Sequence, residues 1–316
     1  MTVSVVIPTC RRPQALLRAL RGLLAQELAD WEAIVVDDGG GEGIEAARGL
    51  GDPRIGAVAN EGRGQVDARS TAIGRARGEL LCWLDDDDWW DDPHHLSLLA
   101  AAAAEDARSF FHRGGWIVHE PDGRREVFDH DATPASLRVN NTILTSSLAY
   151  RRELHDRLGP LDRELGSYGD WDFVLRMCDA GLVPRKLPGL GVCYAVHGGN
   201  VSAAVDAPAR LAGFRRLVAK HGLDTEIHSH VTMHRMLSAP EGWSEVGGKL
   251  EREFAFGGFR EAVAFVNRVA ELAESENHHP DIDLRYSKVV LRWWTHTAGG
   301  VTDRDRELAE RSAGLA

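Results

Sequence analysis

Cysteine is scarce in this chain of 316 residues, and the four present, Cys10, Cys82, Cys178 and Cys193, show no metal-type pairing. They read as reduced core or loop thiols of a cytoplasmic protein. Long apolar runs are missing as well. No stretch approaches the roughly 20 residues that span a bilayer, and the chain enters a strand directly after Met1-Thr2, so a membrane-embedded protein is disfavoured. Positive charge is the third shortage: Lys plus Arg number 37 against 48 for Asp plus Glu, a formal net charge of −11. That balance disfavours nucleic acid or an anionic membrane as a nonspecific partner. The composition is that of a soluble enzyme, and the length makes two domains a reasonable expectation.

Against this background the run Leu81-Cys82-Trp83-Leu84-Asp85-Asp86-Asp87-Asp88-Trp89-Trp90 stands out. Four adjacent carboxylates at the end of a hydrophobic strand repel one another unless a cation holds them. Hard divalent cations such as Mg²⁺ and Mn²⁺ take oxygen ligands, and strand alternation delivers Asp85 and Asp87 to the same side. The plainer alternative is a solvated acidic turn.

Upstream, the pattern is of repeated strand and helix units. Val3 to Ile7 is a β-branched run stopped by Pro8, and Arg11 to Ala25 carries Leu16, Leu17, Leu20, Leu23 and Leu24 at helical spacing. Ala33 to Val36 forms a second strand ending in Asp37-Asp38-Gly39-Gly40-Gly41, Arg54 to Val58 a weaker third, and a helix from about Gly64 to Arg77 leads into Leu80 to Leu84. In open α/β sheets ligands collect beyond the carboxyl ends of the strands, so both acid clusters are expected to face one crevice.

Residues 1 to 224 resemble glycosyltransferase family 2, an α/β GT-A domain, Rossmann-like with a mostly parallel sheet. The resemblance rests on Val5-Val6-Ile7-Pro8-Thr9 with Arg12, on Val35-Val36-Asp37-Asp38-Gly39, on Asn60-Glu61-Gly62 with Ala68-Arg69 and Gly78-Glu79, and on Asp85 to Trp90. Farther on it takes in Gly169-Asp170-Trp171-Asp172 and Tyr194-Ala195-Val196-His197-Gly198-Gly199-Asn200-Val201-Ser202. It implies a nucleotide-diphosphate sugar donor met by Pro8, Thr9, Arg12, Asp38, Arg69, Asp85 and Asp86. It also implies Mn²⁺ or Mg²⁺ held by Asp87 with His197 near metal or diphosphate, and Asp170 as catalytic base. Gly169 departs from the usual Glu before the base, and Gly40 from a usual Ser. Three alternatives stay open within this set. Asp172 only caps the following helix or is itself the base, His197 is an ordinary loop histidine, and Arg69 lies on a solvated helix face. The diphosphate leaving group needs its growing charge neutralised, and a lone carboxylate opposite it takes the acceptor's proton, with inversion at the anomeric carbon.

His221, His228, His230 and His234 crowd a polar segment that reads as a linker, without the anchoring acid or Cys pair of a metal site. Residues 225 to 316 resemble pterin-4a-carbinolamine dehydratase, a small α+β domain. Carrying this are Leu250 to Phe256, Phe259-Arg260-Glu261-Ala262 and Phe265, Glu274, His278-His279-Pro280, Tyr286, Thr295-His296, and Gly300 to Asp305. A dehydration needs one group to protonate the departing hydroxyl and another to take a proton from nitrogen, and histidine does both near neutral pH. The resemblance implies His278 as acid and His296 as base, with His279 and Asp305 positioning, and a reduced pterin as substrate.

Phe259, Val263, Val266, Leu291 and Trp293 offer more apolar surface than about 90 residues bury alone, so a homo-oligomer through the C-terminal domain is expected. Three outcomes compete. Both domains are enzymes; or only the transferase turns over and the tail is a dimerisation or pterin-binding module; or the first domain has lapsed into a carbohydrate-binding protein. The stretch from Gly114 to Ser147 carries no motif that can be interpreted.

Overall fold

The computed structural model describes residues 1–198, 206–296 and 300–316. Its chain divides into two compact units, Met1–Val231 and Thr232–Ala316, beyond the division expected after residue 224. Among the described residues no helix is long and apolar enough to cross a membrane.

The first unit opens with β1 (Val3–Thr9), α1 (Pro13–Leu24), β2 (Trp31–Asp37), α2 (Glu42–Gly49), β3 (Ile55–Ala59), α3 (Gly64–Arg75) and β4 (Leu80–Trp83). β1 is buried on both faces, as a central parallel strand must be. α1 starts with Pro13, whose fixed φ suits a first helical position, and buries Leu16, Ala19, Leu20 and Leu23 on one face. β3, β2, β1 and β4 are hydrogen-bonded in that order and all parallel. β1 does not stop at Pro8 as the sequence suggested. It runs to Thr9, with Pro8 opposite Val36 of β2. β1 pairs with β4 only as far as Val6. Because Leu84 N donates to Val6 O, the next residue facing that way is Pro8, whose missing N–H therefore costs no ladder bond.

Beyond this parallel half come β5 (Trp89–Trp90), α4 (His95–Glu105), β6 (Ser109–His119), β7 (Arg124–Phe128), β8 (Ala149–Arg151), α5 (Leu154–Leu158), α6 (Gly169–Asp179), β9 (Val183–Val196) and α7 (Pro208–His221). They extend the sheet from β4 through β8, β6 and β9 to β5, with β7 on β6. Pairing here is mixed, parallel for β6 with β9 and antiparallel for β4 with β8. The core beneath gathers Trp83, Phe110, Tyr150, Leu165, Phe173 and Leu217. All four cysteines are free, Cys82 and Cys193 buried within the sheet.

α8 (His230–Leu237) begins at the limit of the first unit. The second unit then contains β10 (Ser244–Val246), β11 (Lys249–Ala255), α9 (Phe259–Glu276), β12 (Asp281–Arg285), β13 (Lys288–Trp293) and α10 (Asp303–Ala313). The antiparallel order is β10-β11-β13-β12. Leu291 and Trp293, expected to face a partner, are fully buried in its core with Phe254, Phe265 and Leu308. Strand alternation turns them inward. Among the described residues of this unit, the large apolar side chains that are exposed are Val246, Phe259, Ile282 and Tyr286.

Candidate active sites

The carboxylate run begins where β4 ends, and its four members are held by different groups. Asp86 and Asp88 are buried. Asp86 Oδ2 accepts from Thr9 Oγ1 at 2.7 Å and Oδ1 pairs with Arg12 Nη2 at 2.5 Å. Asp88 accepts from Ser146 Oγ at 2.5 Å and from Ala195 N at 2.9 Å. Asp85 and Asp87 are the more open pair. Asp85 Oδ1 meets Arg69 Nη2 at 2.5 Å and Gln65 Nε2 at 3.3 Å. Asp87 Oδ2 lies 2.5 Å from Arg12 Nη1 and 3.0 Å from His197 Nε2. Burial pushes the Asp86 carboxyl up to about 6 against the pull of Arg12 and Thr9. Burial also raises Asp85 and Asp88, and neighbouring carboxylates add to it in both. Arg12 loses solvent on burial, yet Asp86 and Asp87 raise it overall.

Arg69 does not lie on a solvated face. It is 3% exposed, with its guanidinium 4.5 Å from the Trp83 ring centroid and its charge turned toward Asp85. The second acid cluster joins the first through the start of α3. Gly64 N and Asn60 Nδ2 donate to Asp38, each at 2.8 Å, while Gln65 and Arg69 of the same helix reach Asp85. Asp37 turns back into its own loop, accepting from the N–H groups of Gly39, Gly41 and Gly43 at 2.6 to 3.0 Å. Gly39 must be glycine, since a Cβ there would lie 2.5 Å from Arg11 N.

Asp170 and Asp172 both lie in the first turn of α6. Asp170 accepts from Thr145 Oγ1 at 2.7 Å and from Trp171 N at 2.7 Å, and among the described residues it makes no ion pair. Asp172 is 0% exposed and is surrounded by Arg176 at 2.9 Å and by Lys220 and His221 at 2.8 Å each. Burial alone would raise its carboxyl, but the His221 and Lys220 hydrogen bonds with the Arg176 charge hold it at about 2. Asp172 is thus not a simple helix cap. Gly169 is buried, and a Cβ there would come 3.1 Å from Val66 Cγ2.

The histidine-rich segment is not a linker up to residue 230. Arg138 donates to the His221 carbonyl, Arg210 Nη2 to the His228 carbonyl at 3.0 Å, and Ile227 packs on the core of the first unit. The later part of the Tyr194 to Ser202 motif, from Gly199, lies outside the described residues.

In the second unit Asp305, 0% exposed, organises the site. Its Oδ1 shares a 2.6 Å hydrogen bond with His278 Nε2, and its Oδ2 accepts from Thr295 Oγ1, Thr302 N and Thr302 Oγ1, each at 2.7 Å. Burial works against its charge, but these bonds hold the carboxyl below its ordinary value. The same Thr302–Asp305 pair is the capping box of α10. His278 stacks on Trp293, rings 12° from parallel. His296 lies on Trp294, centroids 3.8 Å apart, and acts electrostatically on Asp281, which accepts from Trp294 Nε1. His279 is exposed and shares a 3.2 Å hydrogen bond with Glu274. Thr295 thus ties the chain next to His296 to the carboxylate that holds His278.

Sequence reasoning missed Thr145, Ser146, Gln65, Tyr168, Arg210 and the part played by His221. Thr145 and Ser146 sit in the stretch with no legible motif, in a single 3₁₀ turn that touches both Asp170 and Asp88. Lone hydroxyls carry no spacing signal.

Comparison with known proteins agrees with both halves. The glycosyl transferase family 2 model matches residues 4–159, and the pterin 4 alpha carbinolamine dehydratase model matches residues 226–315. The uncharacterized glycosyltransferase YwdF of Bacillus subtilis is 33% identical over 233 residues, 71% of this chain and 85% of that protein. A Thermomicrobium roseum protein named by inference as a pterin-4-alpha-carbinolamine dehydratase is 53% identical over 85 residues, 27% of this chain and 91% of its own length. Two solved structures share the fold of the first unit. S. aureus TarS in complex with UDP-GlcNAc has a TM-score of 0.57 at 16% identity, covering 72% of this chain and 68% of that one. The mannosyltransferase PcManGT of Pyrobaculum calidifontis in complex with GDP-Man and Mn²⁺ has a TM-score of 0.53 at 20% identity, covering 73% and 67%. The parallel half-sheet with its carboxylate loop, and the small α+β unit in which the loop after α9 brings His278 to Asp305 of α10, are therefore two family domains in one polypeptide: the chain belongs to glycosyltransferase family 2 and carries, C-terminal to that part, a domain of the pterin-4a-carbinolamine dehydratase family.

Proposed function

We propose that the first unit is an inverting, metal-dependent transferase that moves a sugar from a nucleotide-diphosphate donor to an acceptor, with Asp170 as the base. The observation that carries it is the contrast between two carboxylates on one helix. Asp172 is paired with Arg176 and Lys220 and hydrogen-bonded to His221, whereas among the described residues Asp170 accepts from the uncharged Thr145 hydroxyl and Trp171 N–H and has no ion-pair partner, which suits it to accept a proton. The donor atoms available suit a hard divalent cation. Asp87 and His197, with Asp85 nearby, supply carboxylate oxygens and an imidazole. Among the described residues no group of three or more His, Cys, Asp or Glu side chains could hold a metal by itself, so a cation here would take further ligands from the substrate phosphates. Such a cation, when bound, supplies positive charge to the departing diphosphate. Arg69 and Arg12 add cationic charge beside the same crevice. Asp38 lies where a donor's nucleoside is held, and Pro8, Thr9 and Asp86 shape the loop that carries Arg12.

In the second unit the proposal is dehydration of a 4a-hydroxytetrahydropterin. Asp305 orients His278 to protonate the leaving hydroxyl, and His296 takes the proton from the adjacent nitrogen, with His279 at the entrance. A hydrolysis screen of nucleotide sugars with Mn²⁺, reading released nucleotide, tests the first half. Turnover is expected to vanish with chelator and with Asp87→Ala; full turnover in excess chelator refutes it. Conversion of a 4a-hydroxytetrahydropterin to the quinonoid dihydropterin, lost in His278→Ala and His296→Ala, tests the second. No acceleration over buffer leaves the tail as an assembly or pterin-binding module.

A further inference from the structure

We propose that His230 belongs to the transferase site, as the residue that holds the acceptor's hydroxyl group beside Asp170. This rests on the transferase function proposed above. By sequence, His230 falls inside the range matched by the dehydratase family, which begins at residue 226, and far beyond the transferase match, which ends at 159. The structure places it in the first unit, which runs to Val231.

The path that brings it there is well fastened. α7 ends at His221, and Gly222 takes a left-handed φ of 60° that turns the chain back. Ile227 packs on the core, and Arg210 holds the next residue's carbonyl, His228 O, at 3.0 Å. The same guanidinium donates through Nε to Tyr168 Oη at 3.1 Å, and Tyr168 is the N-cap of the helix that presents Asp170. One side chain therefore fixes both the base helix and the segment that carries His230.

Three groups face the imidazole from three elements. Tyr194 of β9 has its ring centroid 5.3 Å away, Arg210 of α7 repels a proton on it, and Asp170 of α6 attracts one. Burial outweighs that attraction and lowers the imidazole below its ordinary value, which favours the uncharged ring. An uncharged ring leaves the Asp170 carboxylate free to act as base. His230 Nδ1 is closed off from solvent and has no hydrogen-bond partner among the described residues. Buried polar atoms are rarely left so, and an orphan beside a catalytic carboxylate marks a place for a ligand's polar group. A hydroxyl held there between Nδ1 and Asp170 gives its proton to the carboxylate as its oxygen bonds to the anomeric carbon and the bond from that carbon to the diphosphate oxygen breaks, the nucleoside diphosphate leaving with the electron pair.

The test uses the full-length chain with Mn²⁺ and UDP-GlcNAc or GDP-mannose, whichever the wild type hydrolyses, with water as the hydroxyl acceptor. His230→Phe is expected to lower kcat by about tenfold, the worth of one hydrogen bond to the reacting group, with the donor KM within about twofold. His230→Asn, whose amide lies near the position of Nδ1, should recover most of the rate, and His230→Gln should not. Unchanged kcat in His230→Phe, or a donor KM that rises with the loss, overturns the proposal. If His230→Phe does not fold by circular dichroism, the other two variants decide, and equal rates for Asn and Gln overturn it. Asp170→Asn is run beside them. If it too hydrolyses donor at the wild-type rate, the assignment of the base has failed; if it is inactive while His230→Phe is not, only the role of His230 has.

Discussion

Asp170 and Asp172 are separated by one tryptophan, yet Asp172 sits among Arg176, Lys220 and His221 while Asp170 meets the Thr145 hydroxyl and the Trp171 N–H. Replacing Asp170 by Asn keeps the shape and the Thr145 contact but removes the proton acceptor. Donor affinity is expected to persist by calorimetry while transfer falls about 10²-fold or more. Asp172→Asn leaves Arg176, Lys220 and His221 around an uncharged amide. Its expected effect is a loss of about 3 kcal/mol in unfolding free energy, measured by denaturant titration. A sequence can show that two carboxylates share a helix, but which one is spoken for depends on Lys220 and His221, nearly fifty residues away. The pH dependence follows from the sign. The folded Asp172 carboxyl sits at about 2, below its unfolded value near 3.8, so its contribution is complete above pH 4 and is lost as pH falls from about 4 to 2. The variant should show a shallower fall of stability over that window.

At the scale of elements, Ser146 is the most informative hydroxyl. It donates to buried Asp88 and accepts from Asp85 N, so Ser146→Ala strips one hydrogen bond from each end of the carboxylate loop. We expect a cost of about 1–3 kcal/mol, read as a lower unfolding midpoint, together with a raised donor KM. Neither contact was legible beforehand. Strands β1 to β4 and helices α1 and α3 were, because their apolar periodicities are local and both sheet faces are buried, whereas α2 (Glu42–Gly49) was not. The carboxylate loop also stood out as a run of chemically distinctive residues, whereas only the resemblance to pterin-4a-carbinolamine dehydratase pointed to His278 and Asp305. The alternative that leaves Arg69 on a solvated face fails because Trp83 lies beneath it, which propensity and spacing cannot show. Pro8 was read as a stop because the rule against proline in a strand is local, while its exemption depends on where β4 ends.

For the molecule as a whole, two chemistries in one chain are expected to be separable. Asp87→Ala should abolish donor turnover and leave the dehydratase rate unchanged, and His278→Ala should do the reverse. Loss of both rates in either variant would show that the sites depend on each other. Self-association is expected through the exposed apolar residues of the second unit, Phe259, Ile282 and Tyr286, rather than through Leu291 and Trp293, which the core has already claimed. Light scattering should give more than one subunit for the native chain and fewer for a Phe259→Ser, Tyr286→Ser double variant. The capping box of α10 adds a connection of another kind. Asp305 both starts that helix and holds His278, so winding the helix and completing the site are one event. A nascent chain does not acquire the His278–Asp305 pair until residues beyond 305 are synthesised and coiled, and the imidazole resonance of His278 becomes a direct clock for the folding of the second unit.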